Sequence, residues 1–166
     1  MVNFGILTIS DKGALGQRSD ESGKVIRDIL STLDSHVTKY EIIPDEVDVI
    51  RNKLAEWADE GQVDVIITTG GTGLSQRDVT PEATLSVVDK VAPGFAEAMR
   101  AESLKKTPYA MLSRAVVGTR GGCLIINLPG SPKAVRECLE TILPALPHAI
   151  ETLKGQGDEC AAPETT

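Results

Sequence analysis

The sequence predicts a three-layer α/β/α domain, with a mostly parallel sheet and one antiparallel hairpin. Two features carry that expectation. Apolar runs without helical spacing alternate along the chain with segments whose apolar residues recur every three or four positions. Two neighbouring apolar runs are joined only by Gly121-Gly122, a link of hairpin length. A chain of 166 residues fits one domain, and at that size roughly 70% of the unfolded surface can be buried. The expected organisation is a single unit over 1–155 and a flexible C-terminal tail over 156–166.

Each element follows from its own pattern. Phe4 to Ile9 is a short apolar run and reads as a buried strand. Ser10 to Ser19 reads as a loop. Val25, Ile26, Ile29, Leu30 and Leu33 share one helical face, which gives a helix over 20–33. Val37 to Ile43 is a second strand, ended by Pro44, with Asp45 placed to cap a helix carrying Ile50, Leu54 and Trp57. Val63 to Thr69 is a third strand running straight into Gly70-Gly71-Thr72-Gly73. Thr80-Pro81 reads as a cap followed by proline at the first helical position, opening a helix to about residue 89. A further helix spans about 94–106. Ser113 to Thr119 and Cys123 to Leu128 are the hairpin strands. Ser131-Pro132 starts a last helix, which Pro144 and Pro147 kink or break.

Composition removes several classes of function. Lys plus Arg is 17 and Asp plus Glu is 24, a net charge of −7. Nucleic-acid binders draw affinity from cationic neutralisation of phosphates, so no nucleic-acid partner is expected. A local basic pocket for a small phosphorylated ligand stays open. Aromatic residues are 3% of the chain, too few for base-stacking platforms. No apolar run approaches the roughly 20 residues that span a bilayer, and the N-terminus lacks a basic region before its apolar stretch. Cys123, Cys138 and Cys160 form no CxxC pair, which supports neither a disulfide framework nor a zinc site. The expected location is a reducing cytoplasm, without a membrane.

The candidate chemistry lies at the predicted carboxyl ends of the strands, where open α/β sheets bind ligands. Gly70, Gly71, Thr72 and Gly73 let backbone N–H groups approach an anion closely. The loop is neither a P-loop nor a dinucleotide fingerprint: no GK[ST] follows, and Gln76 stands where a third glycine would be needed. The same glycines also suit a plain strand-to-helix turn. Asp45 and Asp78 each suit a helix start when taken singly. Together, at one sheet edge beside a glycine loop, they match what Mg²⁺ bound to a nucleotide needs: hard oxygen ligands plus phosphate oxygens. Ser10 and Asp11 follow the first strand. Gly130 and Ser131 follow the last, where a hydroxyl and a helix start make a second anion site. Arg77, Arg114 and Arg120 are further candidate phosphate contacts.

At these residues the chain resembles the molybdopterin adenylyltransferase family, which includes the bacterial MogA and MoaB proteins and plant and gephyrin G domains. The resemblance rests on Thr69-Gly-Gly-Thr-Gly-Leu-Ser-Gln-Arg-Asp78-Val-Thr-Pro-Glu-Ala-Thr84, Pro44-Asp45-Glu46, Ala110-Met-Leu-Ser113-Arg114, Gly118-Thr-Arg-Gly121 and Leu124-Ile-Ile-Asn-Leu-Pro-Gly130-Ser-Pro. It covers residues 4 to 155. It implies a molybdopterin-binding α/β/α fold, usually a homotrimer. It also implies Mg²⁺-dependent transfer of AMP from ATP to molybdopterin, upstream of a molybdenum-insertion protein. By position it gives Asp45 and Asp78 the catalytic, metal-holding role. It gives Gly70 to Gly73, Gly130 and Ser131 to the ligand-binding loops, here assigned to ATP and phosphate, and Ser113 to molybdopterin. The strand-end rule adds Ser10 and Asp11 to the ATP and phosphate site, and Arg114 is placed beside Ser113 in the molybdopterin site. Within the family, a MoaB-like binding or scaffold role with little catalysis is the alternative.

Overall fold

A computed structural model describes residues 1–156. Residues 157–166 of the expected tail, with Cys160, lie outside the described residues. The strands are β1 (Val2–Ile9), β2 (Ser35–Ile43), β3 (Val65–Thr69), β4 (Lys90–Val91), β5 (Val117–Arg120) and β6 (Cys123–Leu128). They form one sheet in the order β2-β1-β3-β6-β5-β4. β2, β1, β3 and β6 run parallel. β5 pairs antiparallel with β6 through the Gly121-Gly122 turn, and β4 pairs antiparallel with β5. The expected hairpin is therefore present, extended by a short edge strand that the sequence does not announce.

The helices are α1 (Asp11–Ala14), α2 (Glu21–Leu30), α3 (Val47–Asp59), α4 (Thr80–Leu85), α5 (Pro93–Leu104), α6 (Pro132–Ile142) and α7 (Leu146–Leu153). Side-chain alternation on the strands sorts them into two layers. Phe4, Ile6, Val65, Ile67, Leu124 and Ile126 face α2, α5, α6 and α7. Leu7, Ile9, Ile66 and Ile125 face α3 and α4, with Trp57 and Leu54 packed over them. β3 and β6 are buried along their full length, which is why they read as continuous apolar runs rather than alternating ones. Among the described residues, no helix is long and apolar enough to cross a membrane.

Several boundaries differ from expectation, each for a local reason. The 10–19 loop contains α1, because the Ser10 hydroxyl accepts from Gly13 N at 3.0 Å and caps it. α2 stops at Leu30, where Ser31 and Thr32 turn their hydroxyls back onto the Asp28 and Ile29 carbonyls. Asp45 does not cap α3; Glu46 sits at that position, and its side chain makes no capping bond to the helix. Thr80 belongs to α4 instead of capping it, and α4 ends at Leu85 before β4. Ser113 does not begin β5. It closes a 3-10 turn over Pro108–Leu112, and the strand starts at Val117. The last helix breaks where the prolines are expected to break it: a 3-10 turn at Leu143–Ala145 separates α6 from α7.

Candidate active site

From β1 the chain moves to β2 on one side, and from β3 it moves to the other side of the sheet. That divergence opens a crevice at the carboxyl ends of β1 and β3, the expected ligand position in such a sheet. Two cavities lie there. A polar one of about 470 Å³ is lined by Ser10, Asp20, Asp45, Gly70, Asp78 and Ser131, among others. A more apolar one of about 440 Å³ is lined by Thr72, Met99, Arg100, Tyr109, Ser113 and Cys138, among others. Gly71, Asp78, Gly130 and Ser131 line both, so the two form one cleft.

The glycine loop is shaped by its contacts. Gly70 has φ +99° and Gly71 φ +67°, backbone conformations that side chains rarely adopt. A Cβ on Gly70 would run into the Ile9 carbonyl oxygen. A Cβ on Gly71 would meet the Thr80 hydroxyl and stand 3.1 Å from Asp45 Oδ1. Thr80 fastens the loop: its Oγ1 donates to the Gly70 carbonyl at 2.9 Å, and its N–H donates to the Gly71 carbonyl at 3.1 Å.

The two aspartates converge here. Asp45 Oδ2 accepts from Asp11 N at 2.9 Å, and Asp11 Oδ1 accepts from Asp45 N at 3.0 Å. Burial pushes the Asp45 carboxyl above the ordinary aspartate range. The Asp11 N–H opposes that shift, while the charges of Asp11 and Asp78 add to it. Asp78 Oδ2 accepts from Ser75 N at 2.9 Å. Neither carboxylate serves as a helix cap.

The Gly130-Ser131 turn is held from below. The Ser131 hydroxyl accepts from Ala134 N at 3.3 Å and caps α6. Ser22, at the start of α2, donates to the Gly130 carbonyl at 2.6 Å. The Thr69 hydroxyl donates to the Pro129 carbonyl at 2.7 Å. Asp20 caps α2 through Gly23 N at 2.9 Å, accepts from Thr8 Oγ1 at 2.6 Å, and also accepts from the Tyr40 hydroxyl. Burial, reinforced by Asp20, raises the Tyr40 phenol to about 12. The N-termini of α2 and α6 thus both face the polar cavity.

The remaining candidates fall into place unequally. Thr72, Gly73 and Ser113 line the apolar cavity. Arg114 lines neither cavity, because its guanidinium is used by the chain. Nε donates to the Gly73 carbonyl at 2.8 Å and Nη2 to the Asp78 carbonyl at 2.7 Å, while Nη1 pairs with Glu82. Arg120 stands beside the Gly121-Gly122 turn, at the opposite edge of the sheet, and pairs with Asp59. It cannot be a phosphate contact in this cleft. Asp11 and Arg77 pair with each other outside the polar cavity. Sequence reasoning misses Asp20, Ser22 and Arg100. Arg100 lies on a helix and holds the Ser113 and Ala115 carbonyls at 3.3 and 2.9 Å. Asp20 is legible only as a helix start.

The family described as "Probable molybdopterin binding domain" matches residues 5–148. The chain belongs to this molybdopterin-binding domain family. All the candidate residues of the cleft, from Ser10 to Ser131, fall within the matched span. Among relatives of this molybdopterin-binding domain, the molybdopterin adenylyltransferase of Helicobacter pylori is 47% identical over 156 residues, covering 93% of this chain and 89% of that protein. The molybdopterin adenylyltransferase of Escherichia coli is 38% identical over 176 residues, covering 96% and 89%. The solved structure of the molybdopterin biosynthesis enzyme MoaB from Thermus thermophilus superposes with a TM-score of 0.89 at 51% identity, covering 95% and 99%.

Proposed function

We propose that this molybdopterin-binding domain is a molybdopterin adenylyltransferase of molybdenum cofactor biosynthesis. It would transfer AMP from ATP to the terminal phosphate of molybdopterin and release pyrophosphate. The observation that carries this reading is the placement of two carboxylates in a two-part cleft: Asp45 lines the polar part and Asp78 lines both.

An oxygen of molybdopterin's terminal phosphate attacks the α-phosphorus of ATP. The bond from that phosphorus to the bridging oxygen breaks, and pyrophosphate leaves with the electron pair. The attacking phosphate is already anionic at neutral pH, so no strong base is required, and catalysis reduces to positioning and charge neutralisation. Gly71 and the Gly130-Ser131 turn supply N–H groups and a hydroxyl for phosphates, while Gly70, whose N–H donates to the Leu128 carbonyl at 3.3 Å, anchors the loop to the end of β6. The apolar part takes the pterin, with Ser113 on its wall. Arg114 shapes the loop between Gly73 and Asp78 and is assigned a positioning role.

Asp45 and Asp78 fit Mg²⁺ by donor chemistry. Both are hard oxygen donors, and each has one carboxylate oxygen engaged by a backbone N–H. The described residues hold no group of three or more metal-binding side chains. Mg²⁺ typically needs only one or two carboxylates when substrate phosphates complete its shell. When bound, it would neutralise the triphosphate charge.

Incubating the protein with molybdopterin, ATP and Mg²⁺ and measuring adenylylated molybdopterin and pyrophosphate tests the reading. Molybdopterin binding without either product would favour the MoaB-like binding role. The expected assembly is a homotrimer. Leu74, Tyr109, Met111 and Leu112 are exposed, Tyr109 and Leu112 on the wall of the apolar cavity, and suit contact with a second copy. Sedimentation at micromolar concentration reads that state, and a monomer would count against it. The product is expected to pass to a molybdenum-insertion protein.

A further inference from the structure

Outside the polar cavity, Arg77 grips two acidic side chains from two other loops. Its Nε donates to Asp11 Oδ2 at 3.0 Å, and its Nη2 donates to Asp11 Oδ1 at 2.9 Å and Glu46 Oε1 at 2.8 Å. The pair is a fork, with two parallel bonds to one carboxylate, the most directional form of ion pair. Arg77 is 53% exposed and Asp11 39%. Solvent screens such a pair, so it contributes little stability. Its geometry is what stands out.

The fork is the middle link in a series of contacts beside the cleft that runs from Asp45 to Asp78. Asp11 and Asp45 exchange backbone N–H bonds with each other's carboxylates. Arg77 adjoins Asp78 in sequence, and Ser75, two positions before Arg77, donates its N–H to Asp78. Asp45 is therefore tied to Asp11, Asp11 to Arg77, and Arg77 to Asp78. Three strand-end loops meet in this one arrangement. Among the described residues, the Arg77 guanidinium alone makes the side-chain bonds that join the loop after β3 to those after β1 and β2 on this side.

We infer that Arg77 and Asp11 are positioning residues that set the gap between Asp45 and Asp78, and that neither contacts phosphate. The inference rests on the adenylyltransferase reading, in which those two carboxylates hold Mg²⁺ and nucleotide. It has a chemical basis on both sides. Asp11 carries a negative charge that would repel a triphosphate if it faced the cavity. Arg77, whose Nε and Nη2 are committed to two carboxylates, cancels that charge where it stands.

The test uses Arg77→Lys and Asp11→Asn in the full chain. Lysine keeps the charge and loses the fork; asparagine keeps an acceptor for Asp45 N and loses the ion pair. Calorimetry of ATP binding, with and without Mg²⁺, is the first readout. Metal-free ATP binding should be unchanged in both variants. The Mg²⁺ concentration that half-saturates the ATP complex should rise roughly 10–100-fold, the usual effect of removing a group that orients a metal ligand. Turnover at saturating ATP and molybdopterin should fall with it, while thermal midpoints move by no more than about 4 °C. An Arg77→Lys protein that behaves like wild type would overturn the inference, since charge alone would suffice. Weakened metal-free ATP binding would overturn it in favour of direct contact, and a larger drop in melting in favour of a structural brace. If ATP binding to the wild-type protein does not respond to Mg²⁺, the adenylyltransferase reading fails and this inference fails with it. If the wild type responds and both variants match it, only this inference fails.

Discussion

Asn127 donates from Nδ2 to the Thr84 hydroxyl at 3.0 Å, joining the buried end of β6 to α4. The same nitrogen donates to Thr68 Oγ1 at 3.0 Å, and Oδ1 accepts from Val116 N at 3.3 Å. The Asn127, Thr68 and Thr84 side chains are fully buried. The network fixes α4 over the sheet, and with it the loop that carries Asp78. Asn127→Leu leaves two buried hydroxyls without this partner, at roughly 1–3 kcal/mol each before relaxation. Urea unfolding should show a loss of about 2–4 kcal/mol with an unchanged slope. Adding Thr68→Val and Thr84→Val should recover most of that loss, because an all-apolar replacement removes the orphaned groups.

Asp45→Asn and Asp78→Asn should leave folded proteins whose rate of adenylylated molybdopterin formation is reduced by roughly 10²–10³. Stability should move the other way for Asp45. Burial raises its carboxyl above the usual 3.8, so the folded chain holds that proton more tightly than the unfolded chain. The associated stability is present below the usual value and is lost as pH rises through the raised one. Asparagine removes this loss and can still accept from Asp11 N. Thermal melts of Asp45→Asn should match or exceed wild type at pH 7, with the difference shrinking toward pH 4. Near-normal turnover in both variants would take these aspartates out of the mechanism.

The two loop glycines should fail differently when replaced. Gly70→Ala pushes a methyl group against backbone, the Ile9 carbonyl, which cannot step aside without moving β1. A stability loss of more than about 2 kcal/mol is expected from the φ penalty and the clash together. In Gly71→Ala the first obstacle is the hydroxyl of Thr80, a buried side chain bonded to the Gly70 carbonyl, so the methyl group breaks the tie that fastens the loop beside Asp45. Its stability loss should also exceed about 2 kcal/mol, and turnover should fall further than that loss explains, because the displaced groups adjoin Asp45. Parallel melts and rate measurements check both.

The buried thiols should resist modification in the folded protein. Burial pushes Cys123 up to about 12, and it pushes Cys138 up as well. Cys123 lies inside the core and should be labelled by an alkylating reagent only on unfolding. Cys138 lines the apolar cavity. It should label slowly and be protected by molybdopterin, as read by peptide mass mapping. Fast labelling of Cys123 at neutral pH would contradict the packing of α3 and α4 on β6.

Much of the fold and of the cleft is legible in the residues themselves. β1, β3 and β6 announce themselves because they are buried on both faces, so their composition is continuous. The convergence of Asp45 and Asp78 is readable because the strand-end rule places every such loop at one edge. β4 is not legible: its two residues are exposed and exist as a strand only by pairing with Gly118 and Thr119. Ser113 reads as the start of a strand because it adopts extended backbone, which a hydrogen-bonded partner alone converts into one. Arg114 and Arg120 look alike as cations, yet their partners, Asp78 and Asp59, lie at opposite edges of the sheet. The Asp11–Arg77 pair spans 66 positions, and no local pattern encodes an ion pair of that separation.

The register of the central strands has a consequence for how the protein comes into being. β3 pairs with β6 by setting Val65 against Leu124, and Ser22 reaches across 108 positions to Gly130. During synthesis, helices α2 and α3 and the first three strands leave the ribosome well before β6 does. Until β6 arrives, β3 is an open edge with apolar faces, a template for pairing with other chains. Closure of such distant pairs is slow compared with helix formation. The nascent chain therefore acquires its cleft in the last stage of folding, when Gly130 docks on Ser22, and a product truncated before Cys123 would carry both aspartates and no cleft.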